Sequence, residues 1–499
     1  MPRIPLLAGS RIAIVNADED ARLLTPPPPR EAIADVGAAV RDALRFPLSG
    51  EPLEALVPRG GSATLVVEPP ALPVPGTPVD PRQSAIAATV DELERAGIPT
   101  ERQTILVAGG FQRRAGRREL EALVDPEFAR RFRGKVEVHD AESPELVAVP
   151  TDLNREVRVN PALVETDIVV TVTAAETVLA GGPGTLVGAA NADSIRSGGA
   201  YSLLETAASQ GWQTGVAIEH ALARRTPVIG ASIVLTLPRL SGALGGYPYE
   251  VESLERVVRS PLRYLYGALP ASLRERALRS ISIARGVSAA YSGPPSVAHA
   301  EALLRGTEER ARALGEPLDA ICLGVPGTSP YLPRERPNPL LAAYLGLGFA
   351  LRLWRDSFPV VEGGTAILVH PFDRRFAHPS QQPYREFFRS VRGGTARDAG
   401  LVREAEAHSA ANAKALDSYR AGRTHHPLLP YADWSACAPA LDRLGSVLIA
   451  GCRDHDAART LGFVPMHGVG PALQMAQARG ARRIGFLLSP PYFPLVVRA

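Results

Sequence analysis

Two histidines, an aspartate and two arginines stand together at His370-Pro371-Phe372-Asp373-Arg374-Arg375-Phe376-Ala377-His378. Histidine changes charge near neutral pH, and a guanidinium grips carboxylate or phosphate with a planar fork. The segment is a candidate acid/base or anion site, with His370, Asp373 and His378 as catalytic groups and Arg374 as a substrate contact. Metal binding by the same three is also open to them, although their spacing matches no ligand motif. Upstream, Glu68 closes a β-rich run and is either a catalytic carboxylate or a loop carboxylate capping an amide. Gln112 and Arg113 follow another such run. Arg113 either holds an anion or pairs with the helix after it. His139-Asp140 reads as a structural pair before it reads as catalysis. Gly181-Gly182-Pro183-Gly184 offers backbone N–H groups to an anion, less the one that proline removes. Trp434 either walls a cleft or packs in a core, and His425-His426, beside a proline, reads as a surface loop.

These residues sit just after runs with the pattern of buried strands. Residues 63–67, 104–108, 167–173, 319–323, 365–369, 446–450 and 483–487 are short, apolar and rich in β-branched side chains. Longer helical patterns separate them, at 30–45, 85–96, 297–314 and 340–353. This alternation predicts α/β architecture: two domains with mainly parallel sheets flanked by helices. The expected boundaries are 1–310 and 311–499, with a Gly/Pro-punctuated helical insertion at about 235–280 read as a packed element, a lid or a dimerisation arm. Ligands of such sheets bind beyond the carboxyl ends of the strands. The loops after Val67, Ala108, Thr173, Leu323 and Val369 should therefore line an interdomain cleft.

The bulk properties fit a globular protein. Of 499 residues, 45% are hydrophobic and 21% charged, for a net charge of +3. That balance points away from nucleic acid. No apolar run is long enough for a membrane helix, and no signal peptide is apparent at the start. Cys322, Cys437 and Cys452 are dispersed, which suits a reducing cytoplasm. Only Lys135 and Lys414 are lysines among 55 lysine-plus-arginine residues. No Gly-x-Ser-x-Gly elbow or Gly-x-Gly-x-x-Gly fingerprint follows a strand-like run.

The order of several segments resembles the nickel-dependent lactate racemase family. They are Gly109-Gly110-Phe111-Gln112-Arg113, Val138-His139-Asp140, Val159-Asn160, the glycine-rich loop at 180–184, Ala298-His299-Ala300, residues 323–330 and Met466-His467. The resemblance implies a two-domain fold and racemisation of 2-hydroxy acids. It also implies a nickel pincer nucleotide tethered through a lysine, with histidines as acid, base and nickel ligand. This chain departs from that pattern. Gln112 stands where a catalytic histidine is expected, and Leu72 where a carboxylate-binding arginine is. The glycine-rich loop has neither lysine nor histidine. The nickel ligand would fall near residues 197–202, yet no histidine lies between His139 and His220. No lysine lies between Lys135 and Lys414.

The expected function is binding or conversion of a small 2-hydroxy acid or related carboxylate in the cleft, with no pincer cofactor and no metal. A non-catalytic binding or scaffold paralogue is the alternative, and a true nickel racemase the third. Expected partners are a small carboxylate or other anion, and a second copy or an active paralogue. Nucleic acid and membrane are not expected.

Overall fold

A computed structural model describes residues 3–498 except 19, 70–79, 122, 176–180, 197–208, 328–336 and 377. The β-branched runs form two six-stranded sheets. The first has the order Val287–Gly293, Val228–Leu235, Ile168–Ala175, Ala63–Val67, Gln103–Val107, Lys135–Val138. Only its Val287–Gly293 edge is antiparallel. Side chains alternate between faces: Leu65 and Val67 enter one core with Ile105 and Val170, while Val66 enters the opposite one with Leu106 and Val169. Both faces are covered, so the strands are apolar throughout rather than alternating in polarity.

The second sheet is wholly parallel, in the order Val464–Met466, Ser446–Ala450, Val360–Val369, Leu318–Gly324, Ile484–Leu487, Arg22–Leu24. Its last strand comes from the start of the chain. The hairpin Arg3–Ala8 with Arg11–Asn16 packs there too, placing Ile4, Leu6 and Leu7 in one core with Cys322, Ile367 and Phe486. The N-terminal two dozen residues therefore sit with the second sheet, although chain order alone places them in the first unit. The insertion joins the same core: Leu244, Tyr247, Leu254 and Val257 pack on the hairpin, and Tyr247 Oη donates to the Pro5 carbonyl at 3.3 Å. It is a packed element.

Helix starts follow their capping residues. Asp80 and Gln83 form a reciprocal capping box on Pro81–Arg95. Asp35 caps Val36–Arg45 through the Ala38 N–H, so this helix begins six residues later than its apolar spacing predicts. The stretch expected as one helix at 340–353 divides into the α-helix Pro339–Ala343, a wider π-type turn over Tyr344–Phe349 and a 3-10 turn over Ala350–Arg352. No helix among the described residues is long and apolar enough to cross a membrane.

Candidate functional site

At the carboxyl ends of the first sheet, Glu68 accepts the Ala174 N–H at 3.3 Å, which ties two adjacent strand ends together. The glycine-rich loop turns back at Gly181 (φ 96°) and Gly182 (φ 51°). The Gly182 N–H donates to Thr173 Oγ1 at 3.1 Å, so this donor is already used inside the protein. Beneath the loop lies His299, buried, with Nδ1 2.8 Å from Ser232 Oγ. A Cβ at Gly181 would stand 2.2 Å from His299 Cε1. Glycine is required here by space as well as by φ. Leu72, residues 176–180 and residues 197–202 lie outside the described residues.

The turn after Gln103–Val107 is a joint between the two units. The Gln112 N–H closes it on the Gly109 carbonyl at 2.9 Å. The Arg113 N–H donates to His425 Nδ1 at 2.8 Å, and its guanidinium pairs with Glu119. Arg113 thus takes the helix-pairing alternative. His426 stacks on Phe111 at 4.4 Å and places Nε2 3.0 Å from Glu142 Oε1. Tyr419 donates to the Gly110 carbonyl at 3.0 Å. His425 and His426 are buried. They are not the surface loop that the adjacent proline suggests, because partners across the joint satisfy them: the Arg113 N–H for His425, and the Phe111 ring and Glu142 carboxylate for His426. His139 is buried as well, with Nε2 2.8 Å from the Ala190 carbonyl, and burial pushes its pKa down to about 4. It is a structural residue.

The segment 370–378 separates in three directions. Phe372 turns the chain at φ 42° while filling the core. On one side, His370 and Asp373 line a cavity of about 570 Å³ with the hairpin Ala8–Asn16, Val369, Ala450 and Gly468–Gly470. His370 Nδ1 accepts the Phe372 N–H at 3.1 Å, which leaves the neutral ring's hydrogen on Nε2. Burial pushes its pKa down to about 3, so the ring acts as a neutral N–H donor rather than as a base at neutral pH. Asp373 pairs with Arg375 at 3.0 Å. Arg374 turns away and pairs with Asp454 at 2.5 Å, beside a surface depression that Arg385, Arg389, Arg392 and Arg459 also line. His378 is exposed and caps the turn Pro379–Gln381 by accepting the Ser380 N–H at 3.1 Å. Trp434 is in the core: Nε1 donates to the Ala396 carbonyl at 2.9 Å and the ring packs on Phe387 and Phe463.

The expected residues therefore do not converge. Glu68, Gln112 and Arg113 stay with the first sheet, and none of them lines the cavity that holds His370 and Asp373. The sequence reading missed Arg11, Arg274 and Arg453, which do line it. They come from distant parts of the chain, and no local pattern links them. The one legible signal is Gly468-Val469-Gly470-Pro471, a glycine-proline helix opening after a short strand. Among the described residues no three His, Cys, Asp or Glu side chains stand together to hold a metal ion.

Residues 10–202 match the family model of the lactate racemase N-terminal domain. The whole chain aligns with the whole of the lactate racemase apoprotein from Thermoanaerobacterium thermosaccharolyticum, at 14% identity and a TM-score of 0.63. A protein of Thermotoga maritima aligns over 93% of this chain and 97% of its own, at 11% identity and a TM-score of 0.50. At such identities the two structures establish the fold alone. No curated protein matches the sequence.

Proposed function

Proceeding from the match of residues 10–202 to the family model of the lactate racemase N-terminal domain, we propose that this chain binds a small 2-hydroxy acid or related carboxylate between its units and does so without a nickel pincer cofactor. The carrying observation is the donor set at the first sheet's strand ends. A pincer tether needs a lysine amine in the glycine-rich loop, and the stretch 176–188 contains none. Arginine does not replace it, because the guanidinium stays protonated and is a poor nucleophile. Nickel needs an imidazole or other donor held at fixed geometry, and the family resemblance implies an imidazole. The imidazole against this loop, His299, is engaged by Ser232, and the sequence from 140 to 219 supplies no other. The residues present do not fit the cofactor. Gln112 also cannot exchange a proton near neutral pH, and losing one acid/base group costs about 10²–10⁴ in rate.

The test is expression together with the cofactor-synthesis enzymes, followed by metal analysis, intact mass, a lactate racemisation assay and calorimetric titration with lactate and other 2-hydroxy acids. The expected result is no nickel, no added mass, no racemisation and saturable binding of at least one acid. Stoichiometric nickel with a cofactor-sized mass increase would overturn the cofactor-free reading. Absence of binding across the acids would overturn the ligand class.

A further inference from the structure

The cavity at the carboxyl ends of the second sheet is lined by more cationic than anionic groups. Arg11, Arg274, Arg375 and Arg453 line it, against Asp373 and Glu275. Asp373 is taken by Arg375. Among the described residues Arg11, Arg274 and Arg453 form no ion pair, and they crowd one another. The Arg11 guanidinium is held below its ordinary range by desolvation and by the charges of Arg453 and Arg274.

The fold positions each of them. Gly9, at φ 54°, lets the hairpin turn press on Pro371, where a Cβ would stand 2.9 Å from the ring. The Gly9 N–H donates to the Val325 carbonyl at 2.7 Å, and the Gly327 N–H to the Gly9 carbonyl at 2.7 Å. These contacts bring Arg11 over the strand ends. Arg453 follows Ser446–Ala450, and its own N–H is fixed on the Pro371 carbonyl at 2.8 Å. Arg274, buried in the insertion, is held by Nη1 on the Gly267 carbonyl at 3.1 Å and Nε on Ser10 Oγ at 3.4 Å. That leaves Nη2 without a partner among the described residues.

Two further donors face the same space. The ten-residue helix Val469–Ala478 opens there with no side-chain cap, so its first N–H groups and its dipole favour an anion. His370, 4% exposed, has Nδ1 occupied by the Phe372 N–H and no partner at Nε2 among the described residues. It is a buried donor in the cavity's lining.

We infer that this cavity is a binding site for a small organic phosphate, with its phosphoryl group among Arg11, Arg274 and Arg453 and its carbon body against Ile12, Ile14 and Val469. The charge decides between phosphate and carboxylate. A single carboxylate would leave most of this cluster uncompensated. A phosphate monoester carries about −1.5 to −2 and three strong acceptor oxygens, which match the guanidinium forks and the helix start. The site is separate from the carboxylate site proposed between the units, because none of Glu68, Gln112 or Arg113, at the first sheet's side of that junction, lines it.

Calorimetric titration of the full chain with glycerol 3-phosphate, inorganic phosphate and lactate, in phosphate-free buffer of low ionic strength, tests this. Arg11→Gln and Arg453→Gln suit the purpose, since both side chains are exposed and their loss leaves the core intact. The expected result is saturable 1:1 binding of glycerol 3-phosphate, tighter than inorganic phosphate. Each single variant should weaken it about tenfold or more, and the double variant about a hundredfold, as charge-assisted hydrogen bonds are lost. Binding of lactate should be the same in the double variant as in the unmodified chain, which separates the two sites. No saturation with either phosphate, or a double variant that binds like the unmodified chain, would overturn the proposal. Inorganic phosphate binding as tightly as glycerol 3-phosphate would remove the organic body from it.

Discussion

A histidine ring can serve as a proton carrier only if its surroundings tolerate both charge states, and that condition separates the histidines of this chain. Burial lowers His139 to about 4 and His370 to about 3 from the ordinary 6.5. In the unfolded chain both rings take a proton near pH 6.5, while the folded chain keeps them neutral. Between 6.5 and 4 the unfolded state therefore binds more protons. Stability should be fully present above pH 6.5 and fall as pH drops, by roughly 1.4 kcal/mol per unit for each buried ring. Urea midpoints measured from pH 7.5 to 4.5 check this, and His139→Gln with His370→Gln should flatten the slope. An unchanged slope in the double variant would contradict the assignment. Gly181 is a second case where a single residue's surroundings decide. Gly181→Ala combines a positive φ with overlap on His299 Cε1, Nε2 and Nδ1, and should cost about 3 kcal/mol. In a His299→Ala background the ring overlap is gone and only the φ strain of about 1–2 kcal/mol remains. Chemical denaturation of the four chains measures this non-additivity, and strictly additive losses would contradict the contact.

At the scale of elements, the central strands were legible because both faces of each sheet are covered, which forces runs such as Ile168–Ala175 to be apolar and β-branched. Arg22–Leu24 was not legible. Three residues carry no period, and what makes them a strand is pairing with Ile484–Leu487 at the other end of the chain. The 340–353 helix was legible in extent but not in form. Gly346 and Gly348 admit Leu368 and Ala436 so closely that a Cβ at Gly346 would stand 2.7 Å from Leu368 Cδ2, and such contacts are invisible in helical spacing. The site shows the same division. The 370–378 segment announces its chemistry, but its turn at Phe372 sends His370 and Arg374 to different surfaces, and three of the cavity's four arginines come from remote segments. Trp434 illustrates an element-level role that residue type alone left open. It joins the helix Leu429–Ala436 to Phe387 and Phe463. Trp434→Ala should cost about 3–5 kcal/mol in unfolding free energy while leaving affinity for glycerol 3-phosphate within twofold. A large affinity loss with little destabilisation would return Trp434 to a ligand site.

For the whole molecule, the chain's path matters more than its division into halves. The segment 3–24 crosses to the second sheet before residues 36–235 and 287–310 build the first, so the second unit is completed by both ends of the chain and by the insertion between those stretches. The hairpin contributes Ile4, Leu6, Leu7 and Val15 to the core under Ala320, Cys322, Ile367 and Leu448, and the insertion closes over it through Leu254 and Val257. The joint at Phe111, Tyr419 and His426 connects the first sheet to the second unit through polar and aromatic contacts instead of shared strands. Cooperativity should therefore be tight within the second unit and looser across the joint. Leu6, fully buried, tests this. Leu6→Ala removes side-chain volume near the start of the chain and should destabilise by about 2–5 kcal/mol. Its signature should appear far away in sequence. Hydrogen exchange read by mass spectrometry should quicken in Leu318–Gly324, Val360–Val369 and Ile484–Leu487, while Ala63–Val67 and Gln103–Val107 keep their protection. Loss of protection confined to the first sheet would show that the hairpin supports that unit instead. Uniform loss in both sheets would show that the joint transmits the full unfolding free energy and that the two units open as one.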